Sequence, residues 1–327
     1  MAETRPSQPK LSCVRLLGLV MLGFAFLAVA VSVVLSFTGF LGYPFELFSH
    51  FQLHYLIALS LIGVFFGMLK KWKLMAICFI FGLAPALRLA PLYIPNSTGL
   101  HEKSSADTES WRLMILNVNT QHGDSDLVLQ QIKKEDPDVI VLIEISAKWV
   151  YDLEELETRY PFTLLEPSYN NFGIGIYSRQ PLLEPQVRRI GEAQLASLFA
   201  EIELGDQTLT LVATHPLPPI GSERTRLRND QLRKLAKEVP QEGAVIVCGD
   251  LNTTRWSPIF GELRRTSGLN DSERGFGWQP TWPEDKWLFR IPIDHCLHSD
   301  SVHIMDRRIG SNVDSDHRPV IVDFVVQ

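Results

Sequence analysis

The sequence predicts an α/β (α+β) fold, a mixed-sheet sandwich over residues 111–327, preceded by an N-terminal region of three transmembrane helices. Charge is sharply divided: residues 1–110 hold only 13 of the 68 Lys, Arg, Asp and Glu side chains, whereas 111–327 hold 23 basic and 32 acidic ones, a net charge near −9. In the second part, short β-rich stretches alternate with helical patterns and returning hairpins, which argues against a purely parallel sheet. In the first part, long uncharged stretches match the thickness of a hydrocarbon layer.

Leu16 to Phe37 runs without a charged residue and is rich in Leu, Val, Ala, Gly and Phe, enough to cross ~30 Å at 1.5 Å per residue. Phe51–Leu69 and Leu74–Leu92 are further apolar stretches, split by Lys70, Lys71 and Lys73. The expected organisation is an anchor over 1–95 with spans near 16–37, 51–69 and 74–92, then a polar linker over 96–110. A cleaved signal peptide is the alternative for the first stretch, but its apolar run is too long and two more follow. The third span is the weakest, with Pro85 inside it and Arg88 near its end, where the side chain can snorkel to the headgroups. Arg5, Lys10 and Arg15 precede the first span, and residues 38–50 carry no Lys or Arg. The N-terminus and lysine loop are therefore expected in the cytoplasm, which sends 111–327 to the opposite face of the bacterial plasma membrane.

Within 111–327 the expected strands are Leu113–Val118, Val139–Ile143, Gly173–Tyr177, Leu198–Leu204, Leu209–Thr214, Ala244–Val247, Ile293–Leu297 and Val320–Val326. Several are near-continuous in Val, Ile and Leu, as strands buried on both faces are, while Phe199–Leu204 alternates like a half-exposed one. Ser125–Glu135 reads as a helix, capped by Ser125 and ended by Pro137, and Ser222–Val239 as a longer Arg-rich one. The four cysteines are scattered without a CxxC pair, so neither a zinc knuckle nor a disulfide framework is indicated. The acidic balance argues against a non-specific grip on duplex nucleic acid.

Polar residues cluster at the ends of these strands. Asn117 and Asn119 follow the first, Glu144 the second, and His215 a later one; Asp250 and Asn252 follow Ala-Val-Ile-Val-Cys-Gly. Asp294 stands in Ile-Pro-Ile-Asp-His, and Asp316 and His317 in Ser-Asp-His-Arg-Pro before the last strand. Each alone has an ordinary structural reading. The asparagines suit strand-end turns, Glu144 an ion pair, His215 a core or turn position, Asp250 with Asn252 a turn after a strand. All of those readings would have to hold at once. Jointly the residues supply hard oxygen ligands for Mg2+ or Mn2+, amides for phosphate oxygens and a His–Asp pair to activate water.

These motifs resemble the endonuclease/exonuclease/phosphatase superfamily, whose members include DNase I-like nucleases, inositol polyphosphate 5-phosphatases and neutral sphingomyelinases. The matching runs are Leu-Asn-Val-Asn, Asp-Pro-Asp-Val-Ile-Val-Leu-Ile-Glu, Gly-Ile-Gly-Ile-Tyr-Ser-Arg at 173–179, Ala-Thr-His, Gly-Asp-Leu-Asn, Thr-Trp-Pro, Ile-Asp-His and Ser-Asp-His-Arg-Pro, in the family's order across 111–327. The resemblance implies a four-layer sandwich of two mixed sheets flanked by helices. It implies Glu144 as principal metal ligand with Asn117, Asn119 and Asp316 assisting, and His317, oriented by Asp294, as general base or phosphate-polarising group. By the same resemblance Asp250 and Asn252 surround the water and phosphate, His215 donates to a phosphate oxygen, and Arg179 supports the cleft. Asn119 stands where many nuclease members carry an Asp, and Ala-Thr-His replaces the Tyr-containing motif of abasic-site endonucleases.

The expected function is a membrane-anchored phosphoesterase cleaving a phosphodiester or phosphomonoester, on a lipid headgroup or small molecule, with the bilayer as partner and no obligate protein partner. An extracytoplasmic nuclease guided by basic residues such as Arg224, Arg226 and Arg228 is the second reading, and an inactive binding module the third.

Overall fold

The computed structural model describes residues 13–95 and 109–327, so most of the expected linker lies outside the described residues. Three helices come first: α1 (Cys13–Leu35), α2 (Gln52–Met68) and α3 (Trp72–Leu89). Leu16–Leu35 and Trp72–Tyr93 are long and apolar enough to cross a membrane, whereas α2 is a shorter apolar helix of 17 residues. Pro85 sits inside α3. Between α1 and α2 the chain makes two short 3-10 turns, Gly39–Leu41 and Phe45–His50. The three helices share a small core of Ile62, Phe66 and Cys78, but most of their apolar side chains face outward, among them Met21, Phe24, Ile80 and Leu87.

The remaining elements are β1 (Trp111–Asn117), α4 (Ser125–Glu135), β2 (Val139–Ile143), α5 (Ala147–Asp152), β3 (Phe162–Glu166), β4 (Ile174–Ser178), β5 (Leu182–Ile190), β6 (Leu195–Leu204), β7 (Gln207–Thr214), α6 (Ser222–Glu238), β8 (Ala244–Asp250), α7 (Pro258–Ser267), β9 (Asn270–Asp271), β10 (Asp294–His298), β11 (Val302–Ile309) and β12 (Val320–Val326). They form two six-stranded sheets, in the orders β11-β12-β1-β2-β4-β3 and β5-β6-β7-β8-β10-β9. Each is mixed. The parallel pairs are β1 with β2 and β7 with β8, whose crossovers run through α4 and α6, and the other pairings are antiparallel.

The apolar strands are buried on both faces, which explains their lack of polar alternation. In β1, Leu113 and Ile115 enter the core between the sheets, facing Leu198, Leu211 and Ile246, while Met114 and Leu116 pack outward against Val128 and Ile132 of α4. On the other sheet Val245 and Val247 pack outward against Leu232, Leu235 and Leu263 of α6 and α7. The four expected layers are thus present: helices, sheet, sheet, helices. α4 begins on Asp124, whose side chain accepts from Asp126 N and Leu127 N, so the cap lies one residue before the expected Ser125.

Four strands, β3, β5, β9 and β11, were not expected from the sequence, and they are the four edges of the two sheets. Arg179 also departs from its expected role. It follows β4 at the end of the sheet opposite Glu144, since Val139 pairs with Ser178 and Ile143 with Ile174. There it binds Asp136 and lies 5.1 Å over the Tyr160 ring, pinning the turn between α4 and β2 and leaving the cleft unsupported by it.

Candidate active site

Both sheets deliver their polar termini to one edge of the sandwich. The parallel pairs β1/β2 and β7/β8 end there with Asn117, Glu144, His215 and Asp250, while β10 starts there at Asp294, paired with Asp250 across the ladder. His317 arrives on the loop entering β12. Ser315 fixes that loop: its hydroxyl donates to Asn117 O at 2.7 Å and accepts from His317 N at 3.1 Å.

Three residues leave their strands with left-handed backbone: Asn119 (φ 55°), Glu144 (φ 65°) and Asn252 (φ 51°). Such conformations cost about 1–3 kcal/mol outside glycine and concentrate at functional sites. Here they turn the side chains inward. The Asn117 amide donates to Glu144 Oε1 at 3.0 Å and to Asp250 Oδ2 at 3.3 Å, bridging two carboxylates from different sheets. Asn252 N donates to Asp250 Oδ1 at 2.9 Å, and its side-chain amide lies 3.3 Å from His215 Nε2. His317 Nδ1 lies 2.9 Å from Asp294 Oδ2, and its Nε2 faces Asp250 Oδ2 at 3.6 Å.

Electrostatics separate these groups. Burial opposes charge on His317, but the Asp294 and Asp250 carboxylates outweigh it and push the imidazole up to about 10. Burial likewise resists ionisation of Asp250, yet His317 and His215 hold it below its ordinary value. Glu144 is pushed up, mainly by burial, with His215 and the Asn117 hydrogen bond opposing. Among the described residues no Lys or Arg pairs with Glu144, Asp250 or Asp294. Carboxylates sharing one donor, without a nearby guanidinium or ammonium, form a hard-oxygen set that fits Mg2+ or Mn2+; Asp250, Asp294 and His317 also bring ligand atoms within 4.8 Å of one another.

Three of the four expected metal ligands are otherwise engaged. The Asn119 amide donates to Asp316 Oδ1 at 2.8 Å, and the other Asp316 oxygen takes the Trp282 indole N–H at 3.0 Å. The Asn117 oxygen accepts from Asn119 N, so its nitrogen, not its oxygen, meets the carboxylates. Asn119 and Asp316 thus brace the rim beside His317. The basic cluster also dissolves. Arg228 is fully buried against Glu46, Arg226 is spent on Glu192 and Glu223 at the surface, and of the three only Arg224 lines the cleft.

Sequence reasoning missed Glu46 and His50, which come from the segment between α1 and α2. Glu46 holds Arg228 at 2.5 Å and Ser257 Oγ at 2.6 Å, and Arg228 Nη1 donates to Asn252 O at 2.8 Å. His50 Nδ1 lies 2.9 Å from Thr254 Oγ1. The signal was present: Glu46 is the lone Asp, Glu, Lys or Arg between Arg15 and Lys70.

Residues 114–317 match the family model described as Endonuclease/Exonuclease/phosphatase family. The chain belongs to this family. Staphylococcus aureus phospholipase C is 24% identical over 177 residues, 49% of this chain and 51% of that protein. The chain therefore spans about half the length of the curated relatives it matches. The endonuclease/exonuclease/phosphatase from Bacteroides vulgatus superposes with a TM-score of 0.56 at 16% identity, covering 67% of this chain and 100% of that one. D. rerio TDP2, complexed with a single-strand DNA product, gives 0.56 at 19% identity and covers 66% and 99%. These structural likenesses establish the fold. Phosphoester hydrolysis is the chemistry of the family's relatives, and its members generally use divalent metals.

Proposed function

We propose that the protein is a membrane-anchored, divalent-metal-dependent phosphoesterase that cleaves a phosphodiester or phosphomonoester with an activated water. The observation that carries this reading is the convergence of the His317–Asp294 couple and the Glu144–Asn117–Asp250 bridge on one pocket. Glu144 and its neighbours would hold Mg2+ or Mn2+, which when bound offsets negative charge on the phosphate. His317, kept protonated by Asp294, presents Nε2–H to a phosphoryl oxygen, so of its two expected roles the polarising one suits its charge. Asp250, ionised and held by Asn252 N, is placed to accept the water proton as the water oxygen bonds phosphorus and the leaving oxygen departs. His215 and Asn252 orient the phosphate. Positioning and electrostatics supply most of the acceleration in such reactions.

The anchor reading is supported by α1 and α3, whose apolar windows are only 11% and 22% buried within the protein. So much exposed apolar surface is unfavourable in water and at home in lipid. With the lysine loop in the cytoplasm, the α1–α2 segment and the catalytic domain share the opposite face.

A nuclease is the second reading, favoured by Arg224 at the cleft and by the fold shared with a TDP2 bound to single-strand DNA product. Full-length protein in detergent, loaded with Mg2+ or Mn2+, would be given bis(p-nitrophenyl) phosphate, sphingomyelin and plasmid DNA. Turnover of at least one substrate well above that of Glu144→Gln is expected. No turnover of any of the three above that control would overturn the enzyme reading.

A further inference from the structure

The cleft at this site, about 750 Å³, has walls from two sources. Glu144, Asp250 and His317 line it together with apolar side chains: Phe172, Ile220 and Ile291 from the catalytic domain, and Tyr43, Leu47 and Phe51 from the α1–α2 segment. That segment is built into the site. Glu46, buried on the same turn as Leu47, closes the ion pair with Arg228 and thereby reaches the Asn252 carbonyl. His50 is held to Thr254, and a Cβ at Gly39 would stand 3.1 Å from Pro258. A wall fixed by a buried ion pair, two hydrogen bonds and close packing is a permanent part of the pocket.

The neighbouring surface of the segment is apolar too. Phe40, Leu41 and Tyr43 on the segment and Ile220 across from it are all more than 40% exposed, next to the ends of α1 and α2 that carry outward apolar surface. A nucleotide or a polyphosphorylated sugar needs cations or stacking faces along its length, yet among the described residues Arg224 is the lone Lys or Arg lining this cleft. An apolar trough leading from a lipid-facing surface to a phosphate-directed end fits a molecule with one charged group and a hydrocarbon tail.

Building on the phosphoesterase reading, we propose that the α1–α2 segment is a specificity-determining wall and that the substrate is a phosphoester bearing a hydrocarbon chain. The chain lies against Tyr43, Leu47 and Phe51 while the phosphate reaches Glu144 and His317. Burial of each methylene is worth about 0.8 kcal/mol, roughly fourfold in kcat/KM where the chain is bound in the transition state.

The test uses full-length protein in detergent with Mg2+ and p-nitrophenyl phosphodiesters whose second ester is methyl, hexyl or dodecyl, so that the leaving group stays constant and only the tail varies. The expected result is a dodecyl-to-methyl ratio of kcat/KM of at least about thirty, from a few methylenes buried in the trough. That ratio should fall at least tenfold in Leu47→Asn and in Ile220→Ser, the second at an exposed position that does not bear on folding. A flat chain-length series, an unchanged ratio in both variants, or cleavage of a single-stranded oligonucleotide in preference to the dodecyl ester overturns the inference. Hydrolysis of the methyl ester separates the two readings: its presence with a flat series sinks only the tail pocket, whereas inactivity on every ester of the series and also on sphingomyelin and DNA sinks the phosphoesterase itself.

Discussion

Replacing Asp294 with Asn removes one carboxylate charge from beneath His317 and leaves a hydrogen-bond acceptor of the same shape. In the native site the Asp294 carboxylate accepts from Nδ1 at 2.9 Å, with both side chains almost wholly buried. Against burial, Asp294, with Asp250 and Asp316, carries the imidazole from 6.5 to about 10. At 1.36 kcal/mol per tenfold change in proton affinity, that rise is a preference for imidazolium of about 5 kcal/mol. Asp294 is the largest of the charged contributors, ahead of Asp250 and Asp316, so the amide should forfeit the largest part of this, while the cost of burial stays. His317 then titrates well below its native position, because burial is no longer outweighed to the same extent. The assay is kcat/KM for bis(p-nitrophenyl) phosphate from pH 5.5 to 9.5 with Mg2+. The wild type should show no loss from His317 deprotonation below about pH 9. Asp294→Asn should be down at least tenfold at pH 8 and recover in part towards pH 6, as the imidazolium reforms. A loss of equal size at every pH, or no loss, would refute the argument that Asp294 acts by holding the proton on His317.

Glu144→Gln should abolish Mg2+ or Mn2+ binding by calorimetry and lower turnover by orders of magnitude, and a chelator should silence the wild type reversibly. Because burial already pushes Glu144 up, the metal-free variant should melt no lower than the metal-free wild type; a markedly lower melting temperature would contradict that. Glu46→Ala strands the buried Arg228 guanidinium and should cost about 3–5 kcal/mol, with Glu46→Leu combined with Arg228→Met recovering most of it in the same melting assay. Burial also depresses His50 to about 4, opposed in part by Glu46. The unfolded chain therefore binds more protons between pH 6.5 and 4, and stability from this group, complete above 6.5, falls by about 3 kcal/mol across that window. His50→Asn should flatten that part of the stability–pH curve; an unchanged slope would mean that another group titrates there.

What the sequence disclosed follows from how the sandwich is buried. The central strands are covered on both faces, so β1, β2, β8 and β12 stand out as apolar runs, β7 is apolar between threonines, and β10 is announced by the Ile-Pro-Ile just before it. The edge strands have no such cover: β5 reads Leu-Leu-Glu-Pro-Gln-Val-Arg-Arg-Ile, its register shifting between Leu183 and Gln186 around Pro185. β11 is interrupted by Asp306 and Arg308, which pair with each other at the partly exposed edge, and by Arg307, buried on hydrogen bonds to Ser272 and Gln279. The site residues were legible because the strands that carry them are the legible ones. Their partners were not. That Asn119 would turn to Asp316, or that Glu46 would cross 182 positions to Arg228, depends on which loops meet in space, and no local pattern encodes it. Arg179 was misassigned because a motif gives order along the chain, not which end of the strand faces the chemistry.

The left-handed turns at Asn119, Glu144 and Asn252 set a trap for protein engineering. Each is a place where glycine would ease the backbone. A thermostability screen run without an activity gate would be drawn to these three positions, and would return a sturdier scaffold from which the chemistry had been edited out.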